Sequence, residues 1–336
     1  MTLRVAKPGL LSTVQDRGRH GLQHLGIVPC GAMDQIAHAI ANALVGNEPD
    51  AATLELTVIG PELVFGHDAL IALCGAEFGA TLDGRALPRD RPVLAHAGAR
   101  LAVGRALRGS RGYLGIGGGI ALEPVLGSRS TYLPARFGGF EGRALRAGDT
   151  LPLAPDAAEL AGARYARLAA GATRREGIDT VRWSAPPLTL PDREPIVVHA
   201  MEGRHFGLFG AAAQRVLFDA VWRVAPESNR MGFRLGGPAL VADGAGELLS
   251  GPTCLGTVQV PANGAPIALM ADHQTTGGYP KIAEIASADV ARLAQLAPGG
   301  RLRFARCTLE DALELGRAAR TRLDAALRAI TWGYAT

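Results

Sequence analysis

The sequence predicts a mostly β protein with a few helices, arranged as two lobes. Three observations predict it. First, 44 Gly and 21 Pro punctuate 336 residues, a density of turn formers that favours many short strands. Second, apolar or alternating runs of strand length recur and end at Gly or Pro. Third, the texture changes between 155 and 190, and the chain is too long for one small core. The boundary is therefore placed there, giving an N-terminal β-rich lobe (1–190), a C-terminal barrel-like lobe (191–307) and a terminal helix (308–336).

In chain order, AMDQIAHAIANALVGN reads as a helix. Ile36, Ile40 and Leu44 recur at i, i+4, i+8 and form one apolar stripe. Asp34 lies near its start, and Gly46 stands where a left-handed cap belongs. TLELTVIG (53–60), ELVFG (62–66), ALIALCG (69–75) and RPVLAHAG (91–98) read as strands. A short pattern, Gly-x-x-Leu-x-apolar, appears at Gly98–Val103, Gly148–Leu153 and Gly299–Phe304, each a turn followed by two side chains on one face. APDAAELAGARYARLAAGA reads as helix, then WSAPPLTLPDREP as extended linker. Beyond it, PIVVHAM opens a strand, and GTVQVPANGAPIALMAD reads as a hairpin turning at Asn263-Gly264. Ser287 with Asp289 opens a short helix through Leu296. In the last segment Thr308 and Asp311 have capping-box spacing, with Asp in place of the usual Glu or Gln. Leu309, Leu313, Leu323 and Leu327 give that helix an apolar side, suited to packing on its own domain or on a partner protein.

Composition excludes several classes. The formal charge is +4, but it is spread over arginines, and Lys7 and Lys281 are the only lysines. Arg100, Arg105, Arg108 and Arg111 cluster without interleaved aromatics, so no nucleic-acid reader is expected. Cys30, Cys74, Cys254 and Cys307 are scattered, with no C-x-x-C pair; this argues against zinc and disulfides and fits a reducing compartment. No run reaches signal or membrane-span length. GIGGGI (115–120) lacks the Lys-Ser/Thr of a P-loop and the spacing of a dinucleotide fingerprint. There is no G-x-S-x-G. His20 and His24 lie among glycines, where a helix that could pair them on a metal is not expected.

Four polar loops remain. Asp272-His273-Gln274-Thr275-Thr276-Gly277-Gly278-Tyr279-Pro280-Lys281 follows a strand and brings glycines, hydroxyls, an amide and an amine together; it is either an anion-binding nest or a self-capped turn. Ser228-Asn229-Arg230-Met231-Gly232 offers an arginine fork for a carboxylate, or a surface turn. Gly127-Ser128-Arg129-Ser130-Thr131 repeats that offer. Thr13–Arg19 is favoured as a hydrogen-bonded corner rather than a site. The set suits a small anionic substrate.

At these loops the chain resembles the family that contains the C subunit of 5-oxoprolinase, together with allophanate hydrolase subunit 2 and the matching part of the urea carboxylase carboxyltransferase. The resemblance rests on STVQDRGRHGLQHLGIVPCGAMD, ANALVGN, TLELT, YLGIGGGI, GSRST, SNRMGFRL and GTVQVPANGAPIALMADHQTTGGYPKIA, in order from about residue 8 to 304. It implies a cyclophilin-like β-barrel character, a cytoplasmic location and work with the A and B subunits of 5-oxoprolinase. Together these would hydrolyse 5-oxoproline to glutamate with ATP and Mg2+ at the level of the complex. Two other readings follow from the same family: a biotin-dependent carboxyltransferase part acting on urea, and a regulatory protein that binds a kinase inhibitor similar to the B subunit. On the leading reading, Arg230 or Arg129 binds the substrate carboxylate, with Asn229, Ser128, Ser130, Gln274, Gly277 and Gly278 beside it. Asp272 is a candidate base, Thr275, Thr276 and Tyr279 surround the reacting group, and Lys281 stabilises charge. Pro29-Cys30-Gly31 stands where the family more often carries Pro-x-Ser-Gly, and Cys30 is given no catalytic role.

Overall fold

The computed structural model describes residues 1–168, 172–242 and 248–334. The chain divides into two compact units. One comprises Met1–Arg19, Asp34–Leu190 and Arg322–Thr336; the other comprises His20–Met33 and Pro191–Thr321. One division therefore falls after Leu190. The early segment His20–Met33 groups with the second unit, where Met33 packs into the hydrophobic core. The terminal helix is not a separate body; its two parts belong to different units.

The first unit carries two antiparallel sheets. The six-stranded one runs in the order Thr150–Pro152, Thr2–Lys7, Glu62–Phe65, Arg100–Ala102, Thr81–Leu82, Arg85–Ala86. The seven-stranded one runs Ala172–Arg175, Ile178–Val181, Val93–Ala95, Ala69–Phe78, Ala106–Ile116, Thr53–Thr57, Leu11–Gln15. Alternation places Leu3 and Val5 of the first strand in the core, with Leu54, Leu56, Phe65, Ile71, Leu101, Leu114 and Leu151. Burial of such apolar surface at ~25 cal/mol per Å² is the main force holding the unit together.

The glycine pattern corresponds to one local device. Gly98, Gly148 and Gly299 have φ of +83°, +91° and +90°, a region open to glycine at no steric cost. Each precedes a strand, and the following Leu101, Leu151 and Leu302 are fully buried. The expected early helix is Gln35–Leu44 (α1), capped by Asp34, whose Oδ1 accepts the Ala37 amide at 2.9 Å. A second helix, Ala157–Arg167 (α2), covers the Ala-rich run. After it Ala172–Arg175 and Ile178–Val181 form a hairpin that joins the seven-stranded sheet through Val93 and Leu94, and the linker expected from the prolines, 183–195, holds no helix or strand. Glu176 and Gly177 both have positive φ at its turn, the backbone a tight hairpin needs.

The second unit is built on a closed seven-stranded barrel, in the order Ile196–Glu202, Lys281–Ile285, Thr257–Gln259, Ile267–Leu269, Gly232–Gly236, Trp222–Val224, Arg301–Arg306. Closure removes free edges. Val198, Trp222, Phe233, Val258, Ile282 and Phe304 fill the core. Thr257–Gln259 and Ile267–Leu269 form the expected hairpin, with Gly264 at φ +74° in its turn. Ala211–Asp219 (α3) and Ser287–Ala294 (α4) also belong to this unit. Leu309–Gly333 (α5) opens on a reciprocal cap: the Asp311 amide donates to Thr308 Oγ1 at 3.1 Å and the Thr308 amide to Asp311 Oδ2 at 2.9 Å.

The clustered arginines of the first unit mostly face carboxylates rather than forming a basic stripe. Arg100 meets Glu62 at 2.9 Å, Arg108 meets Glu77 at 3.3 Å and Arg111 meets Glu55 at 3.4 Å. Among the described residues no helix is long and apolar enough to cross a membrane.

Candidate functional site

Three of the expected substrate-binding residues are engaged elsewhere. Ser128, Arg129 and Ser130 lie in the first unit and close around Asp16. Both serine hydroxyls donate to Asp16 Oδ1 at 2.6 Å, and the Arg129 amide donates to Oδ2 at 2.5 Å. The Gly18 amide adds a fourth donor at 2.8 Å, while Arg129 Nε donates to the Leu122 carbonyl at 2.5 Å. The loop's two hydroxyls and the Arg129 amide thus converge on a carboxylate of the chain itself, and the Arg129 guanidinium turns through Nε to the Leu122 carbonyl. The expected corner at Thr13–Arg19 and the GSRST loop are one structural knot.

The knot has a pH signature. Burial would raise the Asp16 carboxyl, but the Ser128 and Ser130 hydroxyls and the Gly18 and Arg129 amides outweigh it and leave the group below its ordinary value. The unfolded chain then binds the extra proton first. The contribution is complete above the unfolded value of about 3.9 and is lost as pH falls through the lower folded value. The urea midpoint of the protein is therefore expected to fall between about pH 5 and pH 3 more steeply than that of Asp16→Asn. Parallel curves for the two would remove Asp16 as the cause.

In the barrel unit Arg230 and Asp272 are likewise closed on each other. Arg230 Nε and Nη2 meet Asp272 Oδ2 and Oδ1 at 2.9 and 2.8 Å, and both side chains are almost wholly buried. Nη2 also donates to the Gly31 carbonyl at 2.7 Å. Asn229 caps its own turn, its Oδ1 accepting the Met231 amide at 2.8 Å. Arg230 therefore anchors two chain segments in place of a ligand, and Asp272 is its counter-ion rather than an open base. The pairing joins residues far apart in sequence, so no local motif announced it.

What remains of the expected set is brought together around the strand end at Lys281. The short strands Gly251–Pro252 and Thr276–Gly277 pair as a ribbon, and the Thr253 amide donates to the Thr275 carbonyl at 3.0 Å. Lys281 is buried, its Nζ donating to the Gly277 carbonyl at 3.2 Å. Gln274 Nε2 donates to Gln259 Oε1 at 3.0 Å. Thr276 and Tyr279 are exposed. Gly278, Tyr279 and Pro280 line a cleft of ≈ 710 Å³ together with Leu240, Val260 and Leu248. Three residues that no sequence motif singles out complete the surroundings. Gln259 lies on the strand Thr257–Gln259, where its polar side chain reads like an ordinary outward position, and Arg204 and His205 follow the strand Ile196–Glu202. His205 Nδ1 faces the Lys281 amide at 3.1 Å. Burial, then Arg204, holds the Lys281 amine below its ordinary value. Burial, then Lys281 and Arg204, holds the His205 imidazole down.

ATP does not fit the one glycine-rich turn that invites it. At Gly117–Gly119 the amides already donate, to the Leu70 carbonyl at 2.7 Å, to Asn47 Oδ1 at 2.9 Å and to the Ile116 carbonyl at 2.8 Å. A phosphate cradle needs such amides open, and at this turn they are not.

The chain thus joins in sequence a two-sheet unit and a closed barrel, with nitrogen donors gathered at one strand end of the barrel unit. The model of the carboxyltransferase domain, subdomain A and B, matches residues 25–306, and the chain belongs to this family. It is 39% identical over 312 residues to the C subunit of 5-oxoprolinase from Escherichia coli K12, covering 93% of each chain. It is 37% identical to the protein of the same name from Haemophilus influenzae, over 93% of this chain and 94% of that one. Among solved structures, the urea amidolyase of K. lactis superposes with a TM-score of 0.84 at 29% identity, over 97% of this chain. The chain spans only 20% of that larger enzyme.

Proposed function

We propose that this chain is the C subunit of a 5-oxoprolinase, acting with A and B subunits in the ATP-dependent opening of 5-oxoproline to glutamate. The observation that carries this reading is similarity: over 93% of its length the chain is 39% and 37% identical to two proteins named as C subunits of 5-oxoprolinase. Against the urea amidolyase of Saccharomyces cerevisiae the identity is 28% over the same share of the chain. The site chemistry agrees. 5-Oxoproline is a lactam with one carboxylate, and opening it places negative charge on the amide oxygen. The N–H donors of the loop beside Lys281 suit that charge, because fixed donors need no reorganisation as charge develops, and Lys281 suits the carboxylate. ATP binding, with Mg2+, belongs to the assembled complex on this reading.

A second reading is favoured by the TM-score of 0.84 with urea amidolyase. It makes the chain one part of a carboxyltransferase for urea, served by biotin carried on another protein. ADP release by the chain mixed with its A and B partners separates the two. The leading reading expects ADP release that depends on 5-oxoproline and is indifferent to urea. ADP release with urea and bicarbonate, requiring a biotin carrier and ignoring 5-oxoproline, would replace it with the second.

A further inference from the structure

In the short ribbon, Gly251 pairs directly with Gly277. Opposed residues of an antiparallel pair direct their side chains to one face, with Cβ positions about 5 Å apart. Here neither has a side chain, so that face is a bare step, and four nitrogens stand over it. A Cβ built on Gly277 would meet Gln259 Nε2 at 2.5 Å and Gln274 Nε2 at 3.2 Å. One built on Gly251 would meet Lys281 Nζ at 3.7 Å and Arg204 Nη1 at 4.0 Å. All four nitrogens are donors, two of them cationic.

Their partners are incomplete. Gln259 is buried, and its Nε2 has no acceptor among the described residues although its Oε1 is satisfied. A buried donor left unpaired is uncommon and costs free energy that an acceptor removes. Neither Lys281 nor Arg204 has a carboxylate at ion-pair distance among the described residues. Glu284 acts on Lys281 from farther away and is already held by the Thr257 hydroxyl at 2.7 Å. The mutual repulsion of Arg204, His205 and Lys281 is relieved by an anion. Arg204 is exposed and Gln259 is not, so the step is open at its cationic end and closed at its neutral one.

We propose that the Gly251/Gly277 step is a carboxylate subsite, in which Lys281 and Arg204 supply charge and Gln259 and Gln274 supply neutral donors. The identity of its ligand rests on the functional reading above: the subsite takes the carboxylate of 5-oxoproline, in the role that Arg230, closed on Asp272, does not fill. Two cations and two amides over a floor this short suit a planar two-oxygen anion.

The test is calorimetric titration of the full chain with 5-oxoproline and with 2-pyrrolidinone, the same ring without the carboxylate. Gly251→Ala is the informative variant, because its methyl makes ordinary contacts at 3.7 and 4.0 Å and yet occupies the step; Gln259→Leu removes the orphaned donor. Unchanged circular dichroism and urea midpoints establish that both fold. The wild type is expected to prefer 5-oxoproline by at least about tenfold, and both variants to lose at least about tenfold in affinity for it. Equal affinity for the two lactams, or variants that bind as the wild type does, overturns the subsite. If the chain alone binds neither lactam, the KM for 5-oxoproline in the assembled complex is read instead: a tenfold rise in Gly251→Ala supports the subsite, and an unchanged KM or absent turnover overturns it. Carboxylate-selective binding without turnover in any assembly sinks the functional reading and leaves the subsite standing. Turnover with unchanged KM in the variants does the reverse.

Discussion

Arg230→Met and Asp272→Leu are each expected to destabilise the protein by about 3–5 kcal/mol, because each leaves its former partner as an uncompensated buried charge. The double variant is expected to recover much of that loss, since desolvating two ions offsets most of their attraction once both are gone. Both side chains are at most 3% exposed and meet through two hydrogen bonds, so solvent screening does not soften the effect. Arg230 also holds the Gly31 carbonyl. The single variants should therefore speed amide exchange within His20–Met33 beyond what global destabilisation accounts for. Urea unfolding of the four proteins, read with hydrogen exchange over that segment, checks both statements. Single variants as stable as the wild type would return Arg230 and Asp272 to the list of free site residues.

The second large effect is expected at Lys281. Lys281→Met removes a buried cation that has no carboxylate partner at ion-pair distance among the described residues, so the fold should tolerate it, as apolar replacement of buried charge often is. Activity should not. Losing a charge-assisted contact worth about 1.5–3 kcal/mol predicts a fall in glutamate release of about 10- to 150-fold. The protonated amine is the useful form. Its value lies below the ordinary one, from burial and then Arg204, so kcat/KM of the wild type should decline with rising pH earlier than an unperturbed lysine allows. That alkaline limb should be missing from Lys281→Met. A Lys281→Met complex with full activity and an unaltered pH profile would remove the residue from the site.

Much of the fold is legible in the sequence because it is decided locally. Asp34 accepts an amide three residues ahead, Thr308 and Asp311 cap each other across one turn, and three glycines turn the chain into three strands. Asn263-Gly264 marks its hairpin for the same reason. The hairpin at Ala172–Val181 is obscured because its turn is Glu176-Gly177, outside the usual Asn-Gly signal, between an Ala-rich run and a Pro-rich one. The site is legible only in part. Lys281 stands out as a rare lysine beside glycines, and Gln274 and Gly277 share its loop. Arg230 and Asp272 carry the same residue types, but their availability depends on a partner 42 positions away. No periodicity encodes such pairings. Gln259 and Arg204 escape notice for the complementary reason: each looks ordinary in its own segment, and only the closed barrel sets them over a bare glycine step.

Glutamate release from 5-oxoproline and ATP, measured with this chain and its A and B partners together and with each omitted in turn, tests the central claim most directly. The account predicts release from the complete mixture and loss of release when this chain is left out. A mixture shown to assemble that releases no glutamate, or one that releases it equally well without this chain, would contradict it.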